Sequence, residues 1–152
     1  MTLHPAPVPC TLPMPILVSE IAHRVNYSET DQMGVVYHAC YVVWLDIART
    51  EHLRENGMSY KAVEAMGVRL AVGDLTLRYR QPAHYDDLVR VRCWVRDLAS
   101  RRIVFGYAVE RDGTLLATAT TAMFSLGLDQ KPTRLPTTVT ELLQAVPDPV
   151  QL

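Results

Sequence analysis

The spacing of apolar residues changes once along the chain, from a helical period before Gly67 to an alternating period after it. A stripe with the i, i+3, i+4, i+7 spacing of a half-buried helix consists of Tyr41, Trp44, Leu45 and Ala48. Its solvent side is predicted to carry Arg49, Glu51, Arg54 and Glu55. Because Asn56 and Gly57 both tolerate the left-handed conformation that closes a helix, the pattern predicts one helix of roughly five turns over residues 38–56.

Two segments beyond Gly67, residues 75–80 and 89–96, alternate apolar with polar residues, as strands with one buried and one wet face do. Two more strand-like runs cover residues 102–110 and 114–124. The odd-numbered side chains of the first two are expected to be buried and the even-numbered ones, including Trp94, to be wet. The turn sequence Arg111-Asp112-Gly113-Thr114 joins the last two into an antiparallel hairpin. With a strand-like stretch at 21–27, these segments predict an α+β fold in which one antiparallel sheet curls around one long helix.

The two ends of the chain differ from the middle in proline content. Five prolines lie within the first fifteen residues, namely Pro5, Pro7, Pro9, Pro13 and Pro15. Proline lacks the backbone donor that helices and central strands use, so residues 1–18 are predicted to form an extended, flexible arm. The folded domain is predicted over 19–136, and residues 137–152 are predicted to form a tail with a weak helix at 140–145 that then frays.

Composition restricts the class of protein. The chain has 152 residues, 49% of them hydrophobic and 20% charged, with a formal net charge of -1. This favours one domain with a proper core and argues against disorder or nucleic-acid binding. Cys10, Cys40 and Cys93 are odd in number and widely spaced, which argues against a disulfide framework or a structural zinc site. No apolar run reaches the ~18 residues of a membrane span and no signal peptide is recognisable, so we expect a cytoplasmic protein without an integral membrane segment.

Three groups of residues carry a family resemblance. They are the string D-Q-M-G-V-V-Y-H-A at 31–39, Tyr41 with A-R-T-E at 48–51, and Y-R-Q-P-A at 79–83 with Asp86 and Asp87. These groups resemble the hotdog-fold acyl-CoA thioesterases, above all the 4-hydroxybenzoyl-CoA thioesterase family and its Tol-Pal-associated branch. The resemblance implies a sheet of about five strands wrapped around a central helix, and homodimers or dimers of dimers whose active sites draw on both subunits. It also implies that Asp31 is the catalytic carboxylate and that coenzyme A enters only as part of the substrate, without a separate cofactor or metal.

The chemistry of thioester hydrolysis gives the same residues roles. Negative charge builds on the carbonyl oxygen, so the reaction needs donors aimed at that oxygen and a carboxylate or water aimed at the carbon. The unpaired amides of a helix start supply such donors, and Gly34 allows backbone and ligand to approach closely. The resemblance places the oxyanion contact at the amide near His38 and counts Tyr37 with the catalytic string. Asp31 either attacks the carbon directly or activates a water, and the sequence does not separate these routes.

Less specific interpretations exist for these residues. An aspartate before a helix is often a local turn former, and a histidine at a helix start often has no chemistry. The matched string favours catalysis for Asp31 and leaves the role of the His38 side chain open. Residues two apart on a helix point away from each other, so His38 is a poor base for Cys40, which is interpreted as small packing.

Other residues concern the substrate. The predicted floor of an acyl pocket consists of Val35, Val36 and Tyr41. Asp46 is either a surface partner of Arg49 or Thr50 or, by resemblance to the 4-hydroxybenzoyl-CoA enzymes, an acid that meets the acyl group across a dimer. The sequence does not distinguish between an aromatic and an aliphatic acyl group in the substrate.

Residues 78–111 are locally basic. They contain eight arginines, at positions 78, 80, 90, 92, 96, 101, 102 and 111, against four acidic residues, at 86, 87, 97 and 110. Coenzyme A carries phosphate groups, and arginine binds phosphate through a planar fork of donors. Arg101 and Arg102, at a predicted strand end, are therefore the candidates for contact with its nucleotide end.

The sequence thus predicts an acyl-CoA thioesterase that works as a homodimer or homotetramer. The alternative is a hotdog protein that binds acyl-CoA or acts as a scaffold without turnover, since a fold does not determine a function. An acyl-CoA hydratase is disfavoured because the string at 31–39 resembles the hydrolase branch.

Overall fold

The computed structural model describes residues 14–152 and shows a five-stranded antiparallel sheet with three helices. The strands are β1 (Val18–Arg24), β2 (Val68–Tyr79), β3 (Leu88–Ala99), β4 (Arg102–Arg111) and β5 (Thr114–Gly127). The helices are α1 (Cys40–Glu55), α2 (Tyr60–Ala65) and α3 (Thr137–Leu142), and a 3-10 turn spans Tyr27–Glu29. The strand order across the sheet is β1-β3-β4-β5-β2, so β1 and β2 form its two edges.

Helix α1 packs its apolar stripe against the sheet, as predicted. The buried stripe consists of Tyr41, Trp44, Leu45 and Ala48. The helix ends where predicted, because Asn56 is its cap residue and Gly57 follows with a φ of 90°. It begins two residues later than predicted, because residues 37–39 still form a turn in which the Cys40 N–H donates to the Tyr37 carbonyl (2.9 Å). Its 16 residues make it shorter than expected.

The predicted exposure of Arg49 is wrong. Only 8% of this residue is accessible, and its guanidinium forms an ion pair with Asp46 on the preceding turn. Position 49 follows the buried Ala48 at the border of the stripe, and a long side chain can bury its stem while its charged end meets a partner. Arg54 and Glu55, farther round the helix, are exposed as predicted.

Strand β3 follows the predicted alternation except at Trp94, whereas β2 does not. The residues of β3 that are fully buried on the α1 side are Val89, Val91, Cys93 and Val95. The β4–β5 hairpin closes through the predicted turn, in which Asp112 and Gly113 have φ of 49° and 78°. On β2, Leu75 and Tyr79 are 40% and 47% exposed, contrary to expectation. This strand pairs with β5 only, so its other edge has no neighbour within the described chain.

Trp94 is fully buried, contrary to prediction, because the end of the chain covers the outer face of the sheet. We call residues 143–152 the C-terminal strap. Within it, Asp148 accepts hydrogen bonds from the Trp94 indole N–H (2.9 Å) and from two nitrogens of Arg96 (2.8 and 2.7 Å). On the neighbouring strand, Gly106 leaves the room that the indole occupies, since a Cβ there would lie 2.5 Å from the ring.

The end of the chain is also more ordered than predicted. Helix α3 starts at Thr137, three residues before the weak helix expected at 140–145. The strap then runs beside β3, where the Val146 N–H donates to the Val95 carbonyl (2.9 Å). The predicted fraying of this tail is therefore wrong.

Two further segments complete the description. Helix α2 has no counterpart in the sequence prediction, because six residues are too few to show a helical period. Residues 1–13 of the predicted arm lie outside the described residues. In the remainder, the Ile16 N–H donates to the Asn56 side-chain oxygen (2.9 Å), and β1 begins at Val18. None of the helices in residues 14–152 has the length and apolar character needed to cross a membrane.

Candidate active site

A tight loop joins the 3-10 turn to α1 and carries the matched string. The Asp31 N–H donates to the Val35 carbonyl (2.9 Å), and the Gly34 N–H donates to the Asp31 carbonyl (3.0 Å). Gly34 has a φ of 77°, a conformation that residues with a side chain rarely adopt. The turn therefore needs glycine at position 34, and it keeps Asp31 close to the start of the helix.

The half-buried side chain of Asp31 has one engaged and one free oxygen. Oδ1 accepts a hydrogen bond from the Met33 N–H (2.8 Å), so the residue is a turn former, as the less specific interpretation expects. Oδ2 accepts no hydrogen bond from any residue in the range 14–152. One carboxylate oxygen is therefore available for chemistry.

The loop, the start of α1 and the end of β2 border an open cavity of about 290 Å³. Its wall brings together five predicted site residues, namely Asp31, Val35, Val36, His38 and Tyr41. The other lining residues are Met33, Tyr79, Arg80, Gln81 and Pro82. The Y-R-Q-P-A string at 79–83 is the sequence signal for most of this second group, although the string by itself assigns these residues no role.

The start of α1 presents free backbone donors. Its N-cap residue, Ala39, has no side chain that could accept from the first turn. Within residues 14–152, the N–H groups of His38 and Ala39 have no hydrogen-bond acceptor. Such amides carry partial positive charge at a helix start. The site thus combines a carboxylate oxygen with donors suited to an oxyanion.

Glu29 anchors the loop, although no pattern in the sequence marks it as a functional residue. Its carboxylate accepts from the Asn26 N–H (2.7 Å) and the Trp44 indole N–H (2.8 Å), and it contacts Nε2 of His23 (2.8 Å). Its carbonyl accepts from the Tyr37 N–H (2.8 Å). Burial alone would raise the pKa of Glu29, but these hydrogen bonds outweigh it and hold the pKa below its ordinary value. An ionised Glu29 therefore ties β1, the loop and α1 together.

Cys40 has the packing role that its spacing from His38 predicts. Its side chain is partly buried, and its S–H donates to the Glu29 carbonyl (3.6 Å). Burial, and secondarily the charge of Glu29, raises the pKa of the thiol. A protonated thiol is a poor nucleophile, so Cys40 is not a candidate for a reacting group.

Three of the other predicted residues lie outside the cavity. Gly34 shapes the loop without lining the cavity. Tyr37 is exposed, and its ring lies 4.4 Å from the ring of His38, centroid to centroid. Asp46 borders a separate depression of about 60 Å³, together with its ion-pair partner Arg49. The interpretation of Asp46 as a partner of Arg49 is thus confirmed within one chain.

Arg101 and Arg102 lie at the far end of the sheet. Tyr79, at the cavity, pairs with Ala117 of β5. Arg102 is aligned with Phe124, seven residues farther along β5, which corresponds to about 23 Å. Arg102 already pairs with a carboxylate, as do four other arginines of the basic stretch, so much of its charge is neutralised locally. The cavity and these two arginines do not meet within one chain.

Residues 25–146, which include the cavity, match the Thioesterase-like superfamily. The chain belongs to this superfamily. The acyl-CoA thioester hydrolase YbgC of Escherichia coli is 36% identical to this thioesterase-like chain over 118 residues, which are 76% of this chain and 88% of YbgC. The resemblance drawn from the three matched groups is confirmed. Within residues 14–152, no three His, Cys, Asp or Glu side chains lie together in a group that could hold a metal ion.

Solved structures confirm the fold of this thioesterase-like chain. A DHNA-CoA thioesterase from Staphylococcus aureus is 31% identical with a TM-score of 0.78, over 83% of this chain and 86% of that one. A 4-hydroxybenzoyl CoA thioesterase bound to 4-hydroxybenzoyl CoA has a TM-score of 0.77 over 85% of this chain and all of that one, but at 18% identity this likeness shows the fold alone. The predicted hotdog architecture is confirmed as a five-stranded antiparallel sheet with helices.

Proposed function

We propose that this protein is an acyl-CoA thioesterase, which hydrolyses a thioester to a free acid and coenzyme A. Its membership of the thioesterase-like superfamily and its identity with YbgC support this reaction class. The observation that carries the proposal is one cavity lined by both Asp31, whose Oδ2 accepts no hydrogen bond within residues 14–152, and His38, whose amide has no acceptor there.

In the proposed reaction, the thioester carbonyl oxygen accepts hydrogen bonds from the amides of His38 and Ala39. By one route, the Asp31 carboxylate attacks the carbonyl carbon, the C–S bond breaks, coenzyme A leaves as a thiolate, and water hydrolyses the mixed anhydride. By the other, the carboxylate takes a proton from a water that attacks the carbon and releases the same thiolate. Removing one such oxyanion donor costs about 3–4 kcal/mol in comparable enzymes. The His38 side chain also borders the cavity, which supports a contact with the thioester or the water.

Apolar residues form most of the proposed acyl site. Val35, Val36 and Tyr41 form its floor, and the ring of Tyr79 stands against that of Tyr41. Such walls suit aliphatic or aromatic acyl groups. The Staphylococcus aureus relative is named for DHNA-CoA, so an ester of this kind belongs among the candidates.

The proposal includes a homodimer formed edge to edge through β2. Val72 and Leu75 of this strand are 54% and 40% exposed, and they border one depression together with Val42 of α1, which is 38% exposed. An unpaired strand edge next to an apolar surface favours pairing with a second chain. The assembly would join two sheets, each wrapped around α1 as its long central helix, and a dimer of dimers would contain the same unit.

Antiparallel pairing of β2 would also bring the far end of one chain to the cavity of the other. Arg101 lies at that end, because its carbonyl accepts from the Ser125 N–H (2.9 Å), close to where β5 pairs with the start of β2. We propose Arg101 and Arg102 as phosphate contacts for coenzyme A bound at the cavity of the second chain. Asp46 is proposed to reach the acyl group in the same way, across the dimer.

We place the activity in the cytoplasm. The described cysteines, Cys40 and Cys93, are free thiols, which suits a reducing compartment. This location is part of the proposal and is open to test by cell fractionation.

The test of the proposed function is thiol release from a panel of acyl-CoA esters. The panel holds short aliphatic, long aliphatic and aromatic members, including DHNA-CoA. We expect at least one class to be hydrolysed with a kcat/KM of about 10⁴ M⁻¹s⁻¹ or more. A non-catalytic binding or scaffolding protein predicts instead that calorimetry detects binding of several esters while none releases thiol. That second result would contradict the proposal.

A further inference from the structure

One tyrosine connects the end of β2 to the start of α1. The hydroxyl of Tyr79 donates to the carbonyl of His38 (2.7 Å), and both residues line the cavity. The Tyr79 ring meets the ring of the buried Tyr41 edge to face, with centroids 5.2 Å apart. The ring and the hydroxyl are thus each held by a separate contact, which gives the side chain a defined position.

This hydrogen bond replaces a missing helical one. In a regular α-helix, the His38 carbonyl would accept from the N–H of residue 42. Here the Val42 N–H donates to the Ala39 carbonyl instead (3.1 Å). Within residues 14–152, the Tyr79 hydroxyl is the one donor to the His38 carbonyl.

The bond acts on the peptide that joins His38 to Ala39. A trans peptide is planar, and its N–H points opposite to its carbonyl. A hydroxyl that holds the His38 carbonyl therefore sets the direction of the Ala39 N–H, which has no acceptor within residues 14–152. A hydrogen bond at the carbonyl also polarises the peptide and strengthens its N–H as a donor, by about 10–30% per bond.

We propose that Tyr79 is a positioning residue for the oxyanion site, whose hydroxyl holds the His38–Ala39 peptide in the orientation in which its amide donates to the thioester oxygen. This inference rests on the proposed thioesterase function and deepens it. Burial, and secondarily the proximity of Tyr41, raises the pKa of Tyr79, so the hydroxyl keeps its proton at neutral pH.

The test is the change Tyr79→Phe, which removes the donor and keeps the ring. We expect kcat to fall about 10- to 100-fold while KM stays within about threefold of wild type, because the oxyanion forms only after the substrate has bound. A partly unfolded population would also lower the apparent kcat at unchanged KM, so kcat is expressed per folded molecule, with the folded fraction measured by circular dichroism under the assay conditions.

Tyr60→Phe is the matched control. The Tyr60 hydroxyl bonds the N–H (3.1 Å) and carbonyl (3.3 Å) of Leu70, near the opposite end of β2 and outside the cavity. This variant also loses hydroxyl bonds to the backbone, so we expect lower stability but a kcat within about twofold of wild type.

A second readout needs no turnover. A ¹³C-labelled thioester bound to Asp31→Asn should show a carbonyl stretching frequency lowered by the amide donors. We expect a smaller lowering in the double variant Asp31→Asn with Tyr79→Phe.

The possible failures are distinguishable. A wild-type protein that hydrolyses no ester contradicts the proposed function. If the wild type hydrolyses an ester, two results would overturn the role of Tyr79. One is a kcat of Tyr79→Phe within twofold of wild type, and the other is a kcat of Tyr79→Phe no lower than that of Tyr60→Phe. Equal carbonyl frequencies with and without the hydroxyl overturn it as well.

Discussion

The carboxylate of Glu29 contacts three separate parts of the molecule. It accepts from the turn at Asn26, from the indole of Trp44 in α1, and it contacts His23 of β1. Hydrogen bonds to a charged acceptor contribute more than neutral ones, and a donor left unpaired inside the protein costs more still. The position of the loop at 31–38 therefore depends on a residue that makes no contact with the cavity.

Glu29→Gln tests this dependence. The amide has one accepting oxygen and turns an NH₂ group toward a donor, so we expect the free energy of unfolding to fall by about 1.5–3 kcal/mol in urea titrations. Glu51→Gln removes a carboxylate from an exposed pair with Arg54 and should cost less than about 0.5 kcal/mol. Equal losses in the two variants would contradict the anchoring role.

At the residue scale, His52 also makes the stability of the fold depend on pH. It is buried in α1, with its Nδ1 2.8 Å from the Ser19 hydroxyl, and burial lowers its pKa to about 4. At a pH between about 4 and its ordinary pKa of 6.5, His52 is protonated in the unfolded chain but neutral in the folded chain. Stability is therefore lost as the pH falls from 6.5 toward 4.

We expect the wild type to lose about 2–3 kcal/mol of unfolding free energy from this residue between pH 7.5 and pH 4.5. His52→Gln should lack this loss, although it starts from a lower stability. Glu29 and Asp87, whose pKa values lie below the ordinary carboxyl range, lose their contributions only at lower pH. Urea titrations at the two pH values measure this loss. If His52→Gln lost as much stability as the wild type, the role of His52 would be refuted.

At the scale of elements, the C-terminal strap closes the outer face of the sheet. Asp148 is its main polar anchor, through the Trp94 indole and the Arg96 guanidinium. The partners of Asp148, Trp94 and Arg96, lie on the face of β3 opposite to Val95 and α1, so weakening this one anchor should leave the cavity intact. The end of the strap is held separately, because Arg80 of the cavity wall donates to the Gln151 carbonyl (3.1 Å).

Asp148→Asn should lower the unfolding free energy by about 1 kcal/mol, since the partly exposed bidentate pair is weakened but the amide oxygen still accepts. The fluorescence of Trp94 should shift to longer wavelength, and kcat should stay unchanged. Glu20→Gln, in the exposed pair with Arg90, should alter neither stability nor fluorescence appreciably. A loss of activity in Asp148→Asn without a loss of stability would contradict this separation of the two faces.

Helices, strands and turns could be predicted where residues close in sequence determine which side chains are buried. The stripe of α1 and the turn at Asp112 and Gly113 are local patterns, and both are found as expected. The burial of Trp94 could not be predicted, because its partner Asp148 lies 54 positions away. Exposure of β2 could not be predicted either, since alternation does not reveal which strand is an edge.

At the scale of the whole molecule, a site residue could be predicted only where its partners are close to it in sequence. Asp31, Val35, Val36, His38 and Tyr41 fall within one short stretch, so the local order of the chain brings them together. The bond from Tyr79 to His38 spans 41 positions and leaves no local pattern. Asp46 and the Arg101–Arg102 turn lie away from the cavity of their own chain, so their roles depend on assembly.

The assembly is tested by Leu75→Asp. A charge on the unpaired edge strand should prevent pairing, so the mass measured by light scattering should drop from that of a dimer or tetramer to that of a monomer. Activity should fall with it, because both chains contribute to the proposed site. Leu88→Asp places the same charge on an exposed leucine of β3 and should keep the wild-type mass. A monomeric wild type would contradict the edge-to-edge proposal.

The central claim is that the free oxygen of Asp31 performs the hydrolysis, and Asp31→Asn tests it most directly. The amide oxygen can still accept from the Met33 N–H, so the loop keeps its turn. With an ester that the wild type hydrolyses, we predict that kcat falls at least about 10²-fold while the calorimetric affinity for that ester stays within about threefold. Thiol release by Asp31→Asn within tenfold of the wild-type rate would contradict the account.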